Sequence, residues 1–323
     1  MTRPTVSVAL ATYQGARYVA EQLHSILQQS EPVDEIVIGD DGSTDGTLDV
    51  VRGILDSAAN APRVTLLEPT SRTGVAANFS RVLAATTGEI VVLCDQDDVW
   101  HVDRVSSALE RFVADPALDL VFGDARLIDA DGRDTGSTLF ASLPLRASER
   151  FAIESGRGLD VFLRRNVATG ATMSIRRRAL VRALPVPAMW LHDEWIATTT
   201  ALVGAMAIER RALVDYRQHG SNAVGVVAPT FAYKLRRVLA PRGERNRRLA
   251  TAFAQLADWT ETAVVSSAAR TRVRRKSTFE ARRAALPSRR LARVPRMLML
   301  APEYPSFASQ GALDILRDLL QPS

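Results

Sequence analysis

Between residues 89 and 100 the chain reads Glu-Ile-Val-Val-Leu-Cys-Asp-Gln-Asp-Asp-Val-Trp, a short apolar run that ends abruptly in carboxylates. Ile90 to Cys94 has the β-branched character of a central parallel strand covered on both faces. In open α/β sheets ligands collect beyond the carboxyl ends of the strands, so Asp95, Asp97 and Asp98 are expected to face a crevice. Three acids this close repel one another. A divalent cation with oxygen ligands, Mg(II) or Mn(II), relieves that repulsion and is commonly shared with a substrate's phosphates. The simpler reading is an acidic surface turn that caps a helix from about His101. The buried strand before the turn and Trp100 after it favour function.

The same arrangement recurs along the first two thirds of the chain. Strands are expected at Val6 to Leu10, Glu35 to Gly39, Val64 to Leu67 and Leu118 to Phe122, besides the central one. Helices are expected between them at about Arg17 to Gln28, Thr47 to Ala58, Gly74 to Thr86 and His101 to Asp115. This alternation predicts an α/β fold, a mostly parallel sheet with helices on both faces. From Asp124 to Arg165 the pattern loosens, with turns at Asp131-Gly132 and Gly136, and reads as a variable connection. Thr169 to Arg176 is expected to return to the sheet as a strand. Pro185 to Pro187 breaks the chain before a helix from about Glu194 to Val203 and a strand near Ala205 to Ile208. A boundary near Val224 to Pro229 would divide the chain into a catalytic domain of residues 1–225 and a basic, mainly helical region of residues 226–323. Helices are expected in that region at Phe231 to Arg237 and Arg247 to Ala263, separated by Pro241-Arg242-Gly243.

The 323 residues, 46% hydrophobic, allow one large or two modest domains with a proper core. The single cysteine, Cys94, excludes an internal disulfide or a zinc cage and is expected to be a reduced, buried, inert thiol. No charged leader opens the chain, and no apolar run approaches the ~18 residues of a spanning helix. The expectation is a cytoplasmic protein, free or at the inner face of the cell membrane. Net charge is +5, but from Lys234 to Arg296 there are 18 Lys and Arg against Glu244, Asp258, Glu261 and Glu280. That stretch carries +14 and leaves −9 for everything else. Its arginine-rich helices, with Leu, Phe, Trp259 and Met between the charges, would suit peripheral contact with an anionic membrane. A solvated appendage or an oligomer contact is the blander and slightly favoured reading. Nucleic acid is not expected as a partner, because no recognition motif accompanies the charge.

Several stretches taken together carry a resemblance: Thr12-Tyr13-Gln14-Gly15 after the first strand, Asp40-Asp41-Gly42-Ser43-Thr44-Asp45-Gly46-Thr47 after the second, Gly74 to Asn78, and Leu-Cys-Asp-Gln-Asp-Asp-Val-Trp. Over about residues 5–225 the chain resembles family 2 inverting nucleotide-sugar glycosyltransferases of the GT-A fold. With Tyr-Arg-Gln-His-Gly-Ser-Asn at 216–222, it is most similar to bacterial rhamnosyltransferases and related cell-envelope polysaccharide enzymes.

The resemblance implies a dTDP- or UDP-sugar donor, with dTDP-rhamnose one candidate, a glycan or lipid-linked acceptor, and a divalent metal. Tyr13 and Thr12 close the first strand, where an aromatic face could lie along a pyrimidine. Asp40 and Asp41 fall where similar enzymes hold base and ribose; the alternative is a turn in which Ser43 or Thr44 caps the next helix. Arg72, before a glycine-initiated helix, could meet a phosphate, and Asn78 belongs to the same donor-side set. Asp95 and Asp97 resemble the metal-binding Asp-x-Asp, with Asp95 also near the nucleotide, and His219 resembles the histidine that completes the metal's coordination. Neutral imidazole suits Mn(II) better than Mg(II). Asp193 in His192-Asp193-Glu194-Trp195 matches the context of the family's general base, with Glu194 the alternative and helix capping the bland role for Asp193. Trp190 and Trp195 are candidate acceptor-site residues or simply core.

The Gln-x-x-Arg-Trp motif and spanning helices of processive members such as cellulose and hyaluronan synthases do not occur here, so addition of one sugar or a short run is expected. A rival class is the haloacid-dehalogenase-type phosphatase, whose Asp-x-Asp signature Asp95 and Asp97 imitate and whose last acidic motif Asp124 and Asp129 imitate. The lysine it requires between those motifs is missing. A non-catalytic sugar-nucleotide-binding protein is the other alternative, disfavoured because carboxylates for both metal and base remain.

Overall fold

The computed structural model describes residues 3–58, 62–68, 71–220 and 243–321. They divide into two compact units, one of residues up to 156 with 167–220, the other of 157–166 with 243–321. The boundary expected near Val224 to Pro229, the helix expected at Phe231 to Arg237 and the break at Pro241 lie outside the described residues.

The first unit opens with β1 (Val6–Thr12), α1 (Val19–Leu27), β2 (Glu35–Asp40), α2 (Thr47–Ser57), β3 (Arg63–Leu66), α3 (Val75–Ala85) and β4 (Ile90–Asp95). After β5 (Val99–Trp100) come α4 (Arg104–Ala114), β6 (Leu118–Gly123), β7 (Arg126–Ile128) and β8 (Asp134–Thr138). Then follow β9 (Ser174–Arg176), α5 (Arg177–Ala183), α6 (His192–Val203), β10 (Ala205–Glu209) and β11 (Val214–Arg217). Seven strands form one sheet in the order β10-β6-β9-β4-β1-β2-β3, in which only β9 runs antiparallel to its neighbours. This is the expected mostly parallel α/β sheet. Its central strands are apolar without alternation because both faces are covered, and Cys94 is buried among them. The helices bury the stripe their spacing dictates: Val19, Leu23 and Ile26 on α1, and Val105, Leu109 and Phe112 on α4.

Two expectations are corrected. The strand foreseen at Thr169 to Arg176 is a 3-10 turn at Gly170–Thr172 followed by the three-residue β9, inserted antiparallel between β4 and β6. The loose region after Asp124 is not merely a connection, since β7 and β8 build half of a second sheet, order β5-β11-β7-β8. In that sheet Val99 pairs with Asp215 and Trp100 with Val214, which anchors the chain around residue 216 beside the acidic turn. In the large sheet the register sets Ala11 against Asp95 and Thr12 against Asp40, so the loops after β1, β2 and β4 open at one end.

The second unit contains α7 (Gly243–Thr262) and α8 (Ser267–Ala284), packed along each other, then α9 (Arg290–Leu300) and α10 (Leu313–Leu320). Ser266 caps α8 by accepting from the Ala269 amide at 3.2 Å. Phe253 and Phe279, read from sequence as part of a membrane-facing set, lie in the core. Three cations of the basic stretch, Lys276, Arg283 and Arg293, are buried: Arg283 pairs with Glu280 at 2.9 Å and Asp318 at 2.6 Å, and Lys276 with Glu280 at 2.5 Å. No helix among the described residues is long and apolar enough to cross a membrane.

Candidate active site

The acid-rich turn after β2 staples the loop after β1. Asp40 is buried and accepts four hydrogen bonds, from Gly42 N (3.0 Å), Ser43 N (2.7 Å), Ser43 Oγ (2.6 Å) and Thr12 Oγ1 (2.7 Å). Ser43 Oγ accepts from Gln14 N, Thr44 Oγ1 from Gln14 Nε2, Asp45 from Ala16 N and Thr47 Oγ1 from Gly15 N. Ser43 and Thr44 therefore cross-link two loops and do not cap α2, whose N-cap is Gly46 at φ 89°. Asp41 accepts from Thr73 N (2.6 Å), Thr73 Oγ1 (2.7 Å) and Gly74 N (2.8 Å), fixing the approach to α3.

A carboxylate offers about four acceptor positions. Asp40 has filled its four and Asp41 retains one, so of the two only Asp41 keeps hydrogen-bonding capacity for a ligand. Thr12, 2% exposed, has its hydroxyl on Asp40. Asn78, also 2% exposed, donates to Gly39 O at 2.7 Å and accepts from Arg81 at 3.0 Å. Thr12 and Asn78 thus have their side chains engaged in holding the loops. Tyr13 and Arg72 remain at the surface and meet each other, the guanidinium 4.3 Å from the ring centroid.

Gln96, between the two aspartates of Asp-x-Asp, exchanges a pair of hydrogen bonds with the Tyr13 backbone, each 2.8 Å. Gly15 leaves room for it, because a Cβ there would lie 2.1 Å from Gln96 Oε1. Gly15→Ala is expected to expel the amide and lower unfolding stability by about 1–3 kcal/mol, the value of two hydrogen bonds. Adding Gln96→Ala should then cost little more, and urea denaturation of the double-mutant cycle measures this.

Around the acidic turn Asp95 and Asp97 keep an accessible edge while Asp98 is buried. Asp98 Oδ1 accepts from Arg217 N at 3.0 Å, and its buried Oδ2 has no partner among the described residues. Burial, with the charges of Asp97 and Asp95, pushes the Asp98 carboxyl well up. Burial, Asp97 and Asp193 raise Asp95 to about 8. His219 Nε2 lies 2.7 Å from Asp97 Oδ2, its ring stacked 4.8 Å from that of Tyr18.

Arg217 and Tyr216 escaped sequence reasoning, although they stand in the same Tyr-Arg-Gln-His-Gly motif that singled out His219. Arg217 is 2% exposed; its Nε donates to Asp97 O at 2.8 Å and its Nη2 to Glu21 at 2.5 Å. It thereby locks the turn that carries the carboxylates. Tyr216 is buried, and burial with the charges of Asp95, Asp98, Asp97 and Asp193 holds its phenol protonated well above the usual range.

Asp193 lies in the first turn of α6. Its Oδ1 accepts from Glu194 N at 2.6 Å and its Oδ2 from Gly170 N at 3.2 Å, yet burial raises it to about 6. Its charge reaches both Asp95 and Tyr216, so one end of the sheet gathers the acidic turn and this carboxylate. His192 beside it is a neutral buried ring, stacked on Phe79 at 3.8 Å and lowered to about 3 by burial. Gly170 permits that packing, since a Cβ would sit 2.7 Å from His192 Nε2. Trp190 and Trp195 are packed inside the fold. They are 2% and 1% exposed, pack on each other at 5.4 Å, and the Trp195 indole donates to Ala183 O at 2.6 Å.

Among the described residues no three His, Cys, Asp or Glu side chains are already grouped as a metal cage. The donor set nonetheless suits a hard or borderline cation: the Asp97–His219 pair, Asp95 beside it under like-charge repulsion, and the unpartnered Asp98 oxygen behind. A cation held there would need further oxygens from a ligand such as a diphosphate.

The glycosyl transferase family 2 model matches residues 7–183. An uncharacterized glycosyltransferase of Nostoc sp. is 29% identical over 67% of this chain and 66% of its own. The dTDP-rhamnosyl transferase RfbG of Shigella flexneri is 27% identical over 77% of this chain and 85% of its own. The chain spans between 50% and 66% of the length of the first curated relatives it matches. Among solved structures, the mannosyltransferase PcManGT of Pyrobaculum calidifontis, in complex with GDP-Man and Mn2+, superposes with a TM-score of 0.57 at 22% identity, covering 98% of this chain and 79% of that one. That likeness establishes the shared GT-A fold.

Proposed function

The chain belongs to glycosyl transferase family 2, and from that membership we propose an inverting glycosyltransferase that moves a sugar from a nucleoside-diphosphate donor to a glycan or lipid-linked acceptor. The observation that carries the reading is Asp193, a carboxylate raised to about 6 beside the Asp95–Asp97 turn at the carboxyl end of the sheet. The phosphatase alternative falls with the family assignment. Asp124, on which it relied, holds Ala125 N and Phe140 N.

In the proposed reaction the acceptor hydroxyl transfers its proton to Asp193 as its oxygen attacks the anomeric carbon. The bond from that carbon to the diphosphate oxygen breaks, its electron pair leaving with the nucleoside diphosphate, and configuration inverts. Tyr13 offers an aromatic face for the base and Asp41 one remaining acceptor position for a base N–H or ribose hydroxyl; Arg72, over the Tyr13 ring, adds positive charge on the donor side. Asp40, Thr12, Asn78 and Gln96 hold the loops that carry them. Asp97 and His219, with Asp95, would hold a divalent metal, which supplies neutralisation of the departing diphosphate. An imidazole in the set favours Mn(II) over Mg(II). The resemblance to a dTDP-rhamnosyl transferase makes dTDP-rhamnose the first donor to test. We place the reaction on the cytoplasmic side, in the expected catalytic domain of residues 1–225 less the segment 157–166 that packs with the second unit.

Thermal unfolding with dTDP-rhamnose, UDP-sugars and GDP-sugars, each with and without Mn(II), tests the donor. A ligand that binds the folded chain raises the midpoint by an amount that grows with the logarithm of its concentration over its dissociation constant. A shift seen with no nucleotide sugar, or one equally large with Mn(II) alone, sinks the reading.

A further inference from the structure

α10 is turned inside out. In Leu313-Asp314-Ile315-Leu316-Arg317-Asp318-Leu319-Leu320 the buried side chains are Asp314, Arg317 and Asp318, at 0%, 9% and 0% exposure. Leu313, Leu316 and Leu320 are 65%, 57% and 51% exposed. α9 buries Arg293 at 1% together with Met297 and Leu300, while Leu291, Val294, Leu298 and Met299 range from 41% to 88% exposed. A helix facing water normally buries an i, i+3, i+7 stripe of leucines. Here two such stripes, 291/294/298 and 313/316/320, point outward on adjacent helices.

The interior explains the inversion. Asp318 takes Arg283 at 2.6 Å and the Tyr304 hydroxyl at 2.7 Å, and Asp314 accepts from Ser309 Oγ and Gln310 N. Arg293 donates to the carbonyls of Pro287, Ser288, Asp318, Leu319 and Gln321. These polar networks draw the charged face of α10 and the Arg293 side chain of α9 inward, which leaves the two leucine stripes out.

Charge identifies what covers them. Between residues 286 and 321 the acids are Glu303, 4.0 Å from Arg282, and the buried Asp314 and Asp318, whereas Arg289, Arg290 and Arg296 are exposed. The outward surface is thus apolar and cationic. The same face of a second copy would present only the same cations, while an anionic lipid surface supplies both an apolar layer and the opposite charge. We propose that α9 and α10 form a docking face for an anionic phospholipid membrane, with the leucines in the acyl boundary and the arginines at the phosphates. This rests on the second unit alone and not on the transfer chemistry.

The test is sedimentation of the full chain with vesicles of phosphatidylcholine alone or mixed with phosphatidylglycerol. Binding to the anionic vesicles is expected, weakened by salt. The triple variant Leu298→Ser, Leu316→Ser, Leu320→Ser should reduce partitioning by at least tenfold. Arg289→Gln, Arg290→Gln, Arg296→Gln should reduce it by about a hundredfold on anionic vesicles only. All six side chains are exposed, Arg296 donating to Ala285 O at 2.9 Å, so melting midpoints should change little. Absence of binding to anionic vesicles, or leucine and arginine variants that bind like the parent chain, overturns the proposal. So does a dimer in sedimentation velocity that the leucine variant dissociates while vesicle binding is nil.

Discussion

Asp193→Asn is expected to lower kcat by about 10²- to 10⁴-fold, the usual worth of a general base, while the thermal shift with donor and Mn(II) persists. Asparagine keeps an oxygen for Glu194 N but turns its amide nitrogen toward Gly170 N, so the weaker 3.2 Å bond is lost together with the proton affinity. In the parent enzyme the rate should climb with pH through about 6, where Asp193 becomes ionised, and the variant should lack that limb. Stability moves the other way. The folded-state pKa of about 6 lies above the unfolded value near 3.9, so the folded chain keeps a proton that the unfolded chain has already shed. The resulting stabilisation is complete below the unfolded pKa and is lost as pH rises through 6. The melting midpoint of Asp193→Asn should therefore gain on the parent between pH 4 and 6 and hold its lead above. Turnover that survives in Asp193→Asn but disappears in Glu194→Gln would transfer the role of base to Glu194.

The strand ends were legible because their chemistry is local. A β-branched run followed by carboxylates announces both a buried strand and the site where it stops, and Asp40, Asp95 and Asp97 all follow that rule. What the sequence could not show is the destination of each side chain. β9 has three residues and pairs with strands roughly 50 and 80 positions earlier, a relation that no periodicity records. β5, at two residues, is too short to read, yet it brings β11 to the acidic turn.

Residue roles divided along the same line. Trp190 and Trp195 have the chemistry of an acceptor platform, but the core needed their volume. Thr12 and Asn78 occupy their motif positions as loop holders. Arg217 looks like any other arginine in the sequence, and only its 2% exposure and its bonds to Asp97 O and Asp98 reveal that it fixes the turn. The basic tail shows the same principle from the other side. Its net charge invited a picture of solvated arginines, but Arg283 and Arg293 lie inside and the leucines of α10 lie outside.

Asp97→Ala should abolish the metal-dependent part of donor binding without lowering the stability of the metal-free chain. At a donor and Mn(II) concentration about 100 times the dissociation constant, the parent chain should gain about 2.7 kcal/mol, and the variant close to none of it. Transfer activity should fall by at least about 10²-fold with it. The metal-free prediction follows from the carboxylates that remain. The charge of Asp97 helps to raise Asp95 to about 8 and pushes Asp98 up, so removing it lets both ionise at lower pH. Because raised carboxyl pKa values remove stability as pH rises, the variant should lose less of it than the parent between pH 4 and 8. Arg217 still reaches the backbone oxygen of residue 97, so the turn keeps its shape. His219→Ala separates the two contributions: it should weaken the response to Mn(II) more than the response to Mg(II), since imidazole prefers the softer ion. A metal-dependent shift of parental size in Asp97→Ala would move the cation away from the end of β4, and with it the stabilisation of the leaving group assigned to this turn.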